Sequence, residues 1–300
     1  MRLAAAALAA CIMTACGGGS TAVRPPATAP PPAIATSPAS SPSPSPFPSL
    51  TSHVFVIVME NRSYSQLIGD PYIASLAAKY GVATDYHGVS HPSLPNYLAL
   101  TSGSTWGIAD DGFHALPAGG LGAQLTGAGI EWRAYMEGIT NGCFNSPYPY
   151  ALKHNPFAYY GSQCPPQVVP YSDLGADFAG SVPRFVWITP DLCHDGHDCS
   201  STVAEAWLAR TVPIIQATDA WKQGGLLFIT WDEGEDSANS VLTLVIQPSP
   251  LLHQSSRRYD HYSLLATIED ELGVPRLGQA ATANPMVDLV AAAPAAPPQA

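Results

Sequence analysis

The sequence predicts an α/β fold around a largely parallel sheet. Three observations carry that prediction. Apolar runs of strand length recur along the chain, helical patterns separate them, and several runs end in acids or amides. "HVFVIVME", residues 53–60, is almost continuously apolar, as a strand buried on both faces must be. "DPYIASLAAKYG", 70–81, places Pro71 at a helical start, apolar side chains at Ile73, Leu76, Ala77 and Tyr80, and Gly81 as a stop. "GVATDYHGV", 81–89, reads as a second strand and 94–102 as a second helix. A weak helix at 120–129 precedes the strand "IEWRAYME", 130–137. Further strands are expected at 184–189, 225–233 and 241–248, with helices at 201–222 and 261–272. Strands alternating with helices indicate a parallel sheet.

Both ends read as something other than fold. Residues 1–16, "MRLAAAALAACIMTAC", have the outline of a secretory signal and are too short for a membrane span, which needs about 20 apolar residues. Cys11 and Cys16 each resemble the lipidated cysteine of bacterial lipoproteins, and the Gly/Ser tether after Cys16 favours the latter. Residues 17–50 are rich in Pro, Ser and Ala and read as a disordered tether. Residues 51–286 form the expected domain, and 287–300 the expected disordered tail. A secreted or cell-envelope location follows, possible lipid anchoring to the outer face of the membrane included.

Twelve basic residues against 23 acidic ones give a formal charge of −11, which disfavours nucleic acid as a partner. A small anionic substrate stays compatible, because bound cations invert a local field. The domain is expected to be a monomer. Four cysteines fall inside it, Cys143, Cys164, Cys193 and Cys199, an even count that suggests two disulfides. Cys143–Cys164 and Cys193–Cys199 are the pairs close in sequence, but three connectivities are open.

The strand ends carry the chemistry. Glu60-Asn61 closes the first strand, Asp191 follows "FVWITP", and Asp232-Glu233 closes "LLFITW". Ligands of open α/β sheets sit at the carboxyl ends of strands. Singly, each acid is an ordinary cap; together, with His194, Asp195, His197 and His261, they suit one divalent metal or two. "VSHPSLPNYLALTSG", 89–103, offers Ser90 and Ser93 around His91 at a helix start, where free backbone N–H groups can hold phosphate oxygens. No G-x-S-x-G elbow is present, so metal-assisted phosphoryl transfer through a seryl intermediate is preferred over acyl hydrolysis. Lys153 and His154, in an aromatic-rich loop, are candidates for binding phosphate and for orienting it or protonating the leaving oxygen.

"HVFVIVMENRSYSQLIG", "SHPSLPNYLALTSG", "KHNPF", "HDG", "FITWDEGE" and "YDHYSLLATIEDELGVP" together resemble the phosphoesterase family of bacterial phospholipases C and acid phosphatases. Within it the chain is similar to the small secreted acid phosphatases of mycobacterial type. The resemblance implies a three-layer α/β/α sandwich of the alkaline-phosphatase-like superfamily and hydrolysis of phosphate monoesters on a small phosphorylated substrate. It implies metal-ligand roles for Glu60, Asn61, Asp232 and Glu233, with Ser90, Asp191 and His261 joining them. Ser90, Ser93, His91, Lys153, His154, His194 and Asp195 become the catalytic candidates, Ser90 being preferred to Ser93 as nucleophile. Mg, Ca, Mn, Zn and Fe all stay open as the metal. A phospholipase C or other phosphodiesterase, or a non-catalytic metal-binding envelope protein, is the alternative.

Overall fold

A computed structural model of the protein describes residues 53–249 and 254–290. The signal segment 1–16, the tether 17–50 and most of the tail lie outside the described residues. Strands in chain order are β1 (Val54–Met59), β2 (Gly81–Ala83), β3 (Tyr86–His87), β4 (Trp132–Met136), β5 (Val168–Pro170), β6 (Phe185–Thr189), β7 (Leu226–Trp231), β8 (Thr243–Ile246), β9 (Gln254–Ser255) and β10 (Tyr259–Asp260). Helices are α1 (Tyr64–Leu67), α2 (Pro71–Ala77), α3 (Ser93–Ser102), α4 (Gly120–Gly127), α5 (Gly142–Asn145), α6 (Leu174–Gly180), α7 (Ser201–Ala217), α8 (Asp219–Lys222) and α9 (His261–Leu272).

The main sheet runs β5-β4-β6-β1-β7-β8-β2-β9. Its pairings are parallel except those of β8, which runs against β7 and β2. Every residue of β1 and β7 is buried, which requires cover on both faces. That cover comes as two helical groups, α3 packed with α4 and α9, and α2 packed with α7. Burying an aliphatic or aromatic side chain of this kind contributes roughly 1.5–3 kcal/mol, so the central strands anchor whatever their ends carry.

Several expectations need correction. The single strand expected over 81–89 is split into β2 and β3, which enter different sheets. The helix expected over 201–222 breaks at Thr218, whose side chain accepts from Trp221 N and caps α8. The tail begins later than expected: Leu289 is fully buried, its carbonyl accepts from Gln247, and the Asp288 carboxylate accepts from Ser255 and Tyr259. The short apolar pattern "MVDLV" was hidden by the Ala/Pro-rich stretch after it. Both sequence-close disulfides form, Cys143–Cys164 and Cys193–Cys199, with Cα separations of 5.5 and 4.7 Å. Disulfides of this kind belong to an oxidising, extracytoplasmic compartment. No helix among the described residues is long and apolar enough to cross a membrane.

Candidate active site

Strand register assembles the site. Parallel pairing of Met59 with Trp231 makes Glu60-Asn61 and Asp232-Glu233 neighbours at one sheet edge. Asp232 N donates to the Met59 carbonyl at 3.0 Å, and Asn61 N donates to Asp232 Oδ1 at 3.1 Å. Asn61 adopts φ 44°, a left-handed turn that ends the strand and that Asn tolerates better than most residues. Glu60 and Asp232 are fully buried, and Glu233 nearly so.

The buried His154 balances part of this charge. His154 Nε2 lies 3.1 Å from Glu60 Oε1, and its Nδ1 lies 3.1 Å from Asp195 Oδ2. Its ring stacks on Tyr97 of α3, with centroids 5.2 Å apart. Burial pulls the His154 imidazole down, but the two carboxylates outweigh it and push it up to about 10. Burial alone pushes Glu60 up, yet the His154 charge carries it below the ordinary carboxylate value. Asp195, buried with weaker compensation, rises to about 6. Asp232 is driven well above its ordinary value, by burial first and then by the charges of Glu60 and Glu233. Burial raises Glu233 too, against the pull of His91, whose Nδ1 is 2.5 Å from Glu233 Oε2.

The two candidate nucleophiles part company here. Ser93 is the first residue of α3, almost fully buried, and its hydroxyl donates to Glu60 Oε2 at 2.9 Å. The Ser90 hydroxyl instead donates to the His91 carbonyl at 3.2 Å. Asn96 holds the intervening turn, accepting from the N–H groups of Val89 and Ser90 and donating to the carbonyls of Ser90 and Pro92. Lys153 Nζ stands 2.9 Å from Asp111 Oδ2 and 3.3 Å from His197 Nε2.

Other expected site residues lie elsewhere. The strand pair Met136–Thr189 sets Glu137 beside Asp191, and His194 Nδ1 approaches Glu137 Oε2 at 3.0 Å and Asp191 Oδ1 at 3.4 Å. Glu137, Asp191 and His194 each bring a ligand atom within 4.8 Å of the others, a spacing a metal ion can use. Asp191 also accepts from Cys193 N and His194 N, so it shapes the disulfide loop. His261 is fully buried with both nitrogens engaged, Nδ1 by the Tyr86 hydroxyl at 3.0 Å and Nε2 by the Asp232 carbonyl. Burial draws it down to about 4, so it sits neutral beneath Asp232. Sequence reasoning passed over Glu137, although it ends a strand just as Glu60 does. It also passed over Tyr97 and Asp111; Tyr97 is four residues beyond Ser93 on α3 and could have been found by that spacing.

The oxygens of Glu60, Asn61, Asp232 and Glu233 are of the donor type that hard divalent cations take. Asn61 Oδ1 and Asp232 Oδ2 are buried without a hydrogen-bond partner, beside carboxylates that repel one another. Cations of this class favour such oxygen donors.

Comparison with known proteins shows the family and the fold. A model of the Phosphoesterase family matches residues 70–275, a span that contains Ser93, Lys153, His154, Asp195, Asp232 and His261. The Phosphatidylinositol-3-phosphatase of Mycobacterium tuberculosis is 31% identical over 251 residues, covering 79% of this chain and 82% of that protein. A probable acid phosphatase of Kluyveromyces lactis is 29% identical over 75% of this chain, which spans only 59% of the yeast protein. Among solved structures, an alkaline phosphatase superfamily protein from Vibrio parahaemolyticus is similar at TM-score 0.59 and 10% identity, over 80% of this chain and 72% of that one. The lipoteichoic acid synthase LtaP of Listeria monocytogenes is similar at TM-score 0.58 and 8% identity, over 81% and 80%. These structural likenesses speak for the fold. The sequence matches and the strand-edge carboxylates lead to one conclusion: this chain belongs to the phosphoesterase family and is a phosphoester-hydrolysing enzyme.

Proposed function

We propose that the protein is a metal-dependent acid phosphatase that hydrolyses phosphate monoesters through a phosphoseryl intermediate on Ser93. The observation that carries this reading is the Ser93 hydroxyl, at the start of α3, donating to the buried Glu60 carboxylate at 2.9 Å. Glu60, kept ionised by His154, accepts the hydroxyl proton as the Ser93 oxygen attacks phosphorus. Lys153 holds a phosphoryl oxygen as a point charge. His91, the most exposed of these groups and steadied by Glu233, gives a proton to the departing ester oxygen. Water, giving a proton back to His91, then attacks the phosphoseryl phosphorus; the bond to the Ser93 oxygen breaks, Ser93 recovers its proton from Glu60, and inorganic phosphate leaves.

Glu60, Asn61, Asp232 and Glu233 would hold the divalent cation, which when bound offsets carboxylate repulsion and stabilises charge on the phosphoryl oxygens. His154 acts as a buried counter-ion because both of its nitrogens face carboxylates. His261 acts as a neutral prop under Asp232. Ser90 keeps the turn before α3, and Glu137, Asp191 and His194 offer a second position for an ion. The similarity to a Phosphatidylinositol-3-phosphatase makes phosphorylated inositol headgroups a substrate class to assay beside simple monoesters.

The test is turnover of p-nitrophenyl phosphate by the purified domain, after chelation and after re-supply of Mg, Ca, Mn, Zn or Fe. Activity should vanish on chelation, return with one metal, and fall by about 100-fold or more in Asp232→Asn. Unchanged turnover in the chelated enzyme and in Asp232→Asn would overturn the metal assignment. A higher rate on a phosphocholine diester would favour the phosphodiesterase reading.

A further inference from the structure

Helix α3 presents the Ser93 hydroxyl, yet the residue at its N-cap position, Pro92, has no side-chain acceptor to satisfy the first-turn N–H groups. Pro95 in the same turn has no N–H of its own. The Leu94 N–H is capped from 17 residues away, by Asp111 Oδ1 at 3.0 Å. The second oxygen of the same carboxylate, Oδ2, holds Lys153 Nζ at 2.9 Å. Its neighbour Asp110 has a different occupation, accepting from Gly112 N at 2.8 Å and pairing with His114 Nε2 at 2.7 Å in a local turn. Only the second acid of the "DDG" loop reaches across to the site.

We propose that Asp111 is a positioning residue for phosphoryl transfer: it fixes the distance between the nucleophile's helix start and the Lys153 ammonium by bonding each with one oxygen. This rests on the phosphatase reading above. Lys153 is a long flexible side chain, and without a fixed partner its ammonium samples several rotamers. His197 Nε2 offers it a second contact at 3.3 Å, but the shorter bond is the one to Asp111. The carboxylate is also favourable at the positive end of the α3 dipole, which helps to hold it in place. Because attack requires oxygen and phosphorus within a narrow range, a displacement near 1 Å of either group lowers the rate by up to about 100-fold.

The experiment measures kcat, KM and competitive inhibition by inorganic phosphate for Asp111→Asn, Lys153→Met and the double variant, with p-nitrophenyl phosphate as substrate. Asp111→Asn retains an oxygen for the Leu94 N–H while losing the charge that holds Lys153, so its melting temperature should stay near wild type. It should lose about 10-fold in kcat/KM in the wild-type background and less than about 2-fold when Lys153 is already Met. Asp111→Ala removes both bonds and should lose more. An equal loss in both backgrounds, or no loss in Asp111→Asn, would overturn the proposal while leaving the phosphatase reading intact. A wild-type protein that neither hydrolyses the monoester nor binds phosphate would overturn both.

Discussion

His154 shows how one residue sets the state of several others. It is buried, stacked on Tyr97, and has a carboxylate 3.1 Å from each ring nitrogen. Removing it leaves Glu60 and Asp195 buried with their main counter-charge gone. Breaking a buried pair in this way typically costs about 3–5 kcal/mol. Denaturant unfolding at neutral pH should therefore show His154→Ala destabilised by about 3 kcal/mol. A loss below about 0.5 kcal/mol, the range of an ordinary surface substitution, would contradict the counter-ion role. This part of the site was half legible in the sequence. "KHNPF" marked His154 as worth attention, but its loop gives no periodicity from which its carboxylate partners could be read. The same limit applies to Ser93: the motif placed two hydroxyls near a helix start, and only the three-dimensional turn held by Asn96 separates the one facing Glu60 from the one facing its neighbour's carbonyl.

At the scale of elements, α9 carries a further buried acid, Glu269, inside a helix. It starts with Asp260 accepting from Ser263 N and stops at Gly273, φ 72°. Within it, Glu269 accepts from Leu277 N at 2.8 Å through Oε1, while Oε2 is buried without a partner. Burial, only partly offset by the Leu277 N–H and Arg276, raises its carboxyl from 4.5 to about 8. Below pH 4.5 it is protonated both folded and unfolded, and the shift contributes nothing. Between 4.5 and about 8 the unfolded chain gives up the proton that the folded chain keeps, so stability falls as pH rises. Thermal unfolding across that window should show a decline on the order of a few kcal/mol at most, flattened in Glu269→Gln. Identical slopes in both proteins would exclude Glu269 as the source. The sequence predicts a helix over 261–272. It could not announce that the far side of this helix, Glu269 included, would be covered as well, because that depends on the chain beyond Gly273 folding back over it.

For the whole molecule, the parallel sheet does most of the positioning. Alternating apolar runs and helical patterns sufficed for the fold class, and the strand ends singled out Glu60, Asn61, Asp232 and Glu233, which the structure makes neighbours at one sheet edge. Register was not legible, since a continuous apolar strand has no polar face to fix its pairing. Register is what sends Glu60 and Asp232 to one cluster and Glu137 and Asp191 to another. The antiparallel run of β8 was hidden for the same reason: its sequence is as uniformly apolar as that of its parallel neighbours. A chain of net charge −11 thus brings Glu60 and Asp232 together, pairs Glu60 with His154 and Glu233 with His91, and leaves buried oxygens on Asn61 and Asp232 without a hydrogen-bond partner. The central claim is that Ser93 is the nucleophile of this arrangement. The most direct measurement is acid-quenched turnover of a phosphomonoester, with mass spectrometry locating the phosphorylated residue and kcat compared for Ser93→Ala and Ser90→Ala. Phosphate should be found on Ser93, with kcat about 1,000-fold lower in Ser93→Ala and within about 3-fold of wild type in Ser90→Ala. Phosphate on Ser90, or a Ser93→Ala enzyme that turns over at the wild-type rate, would contradict it.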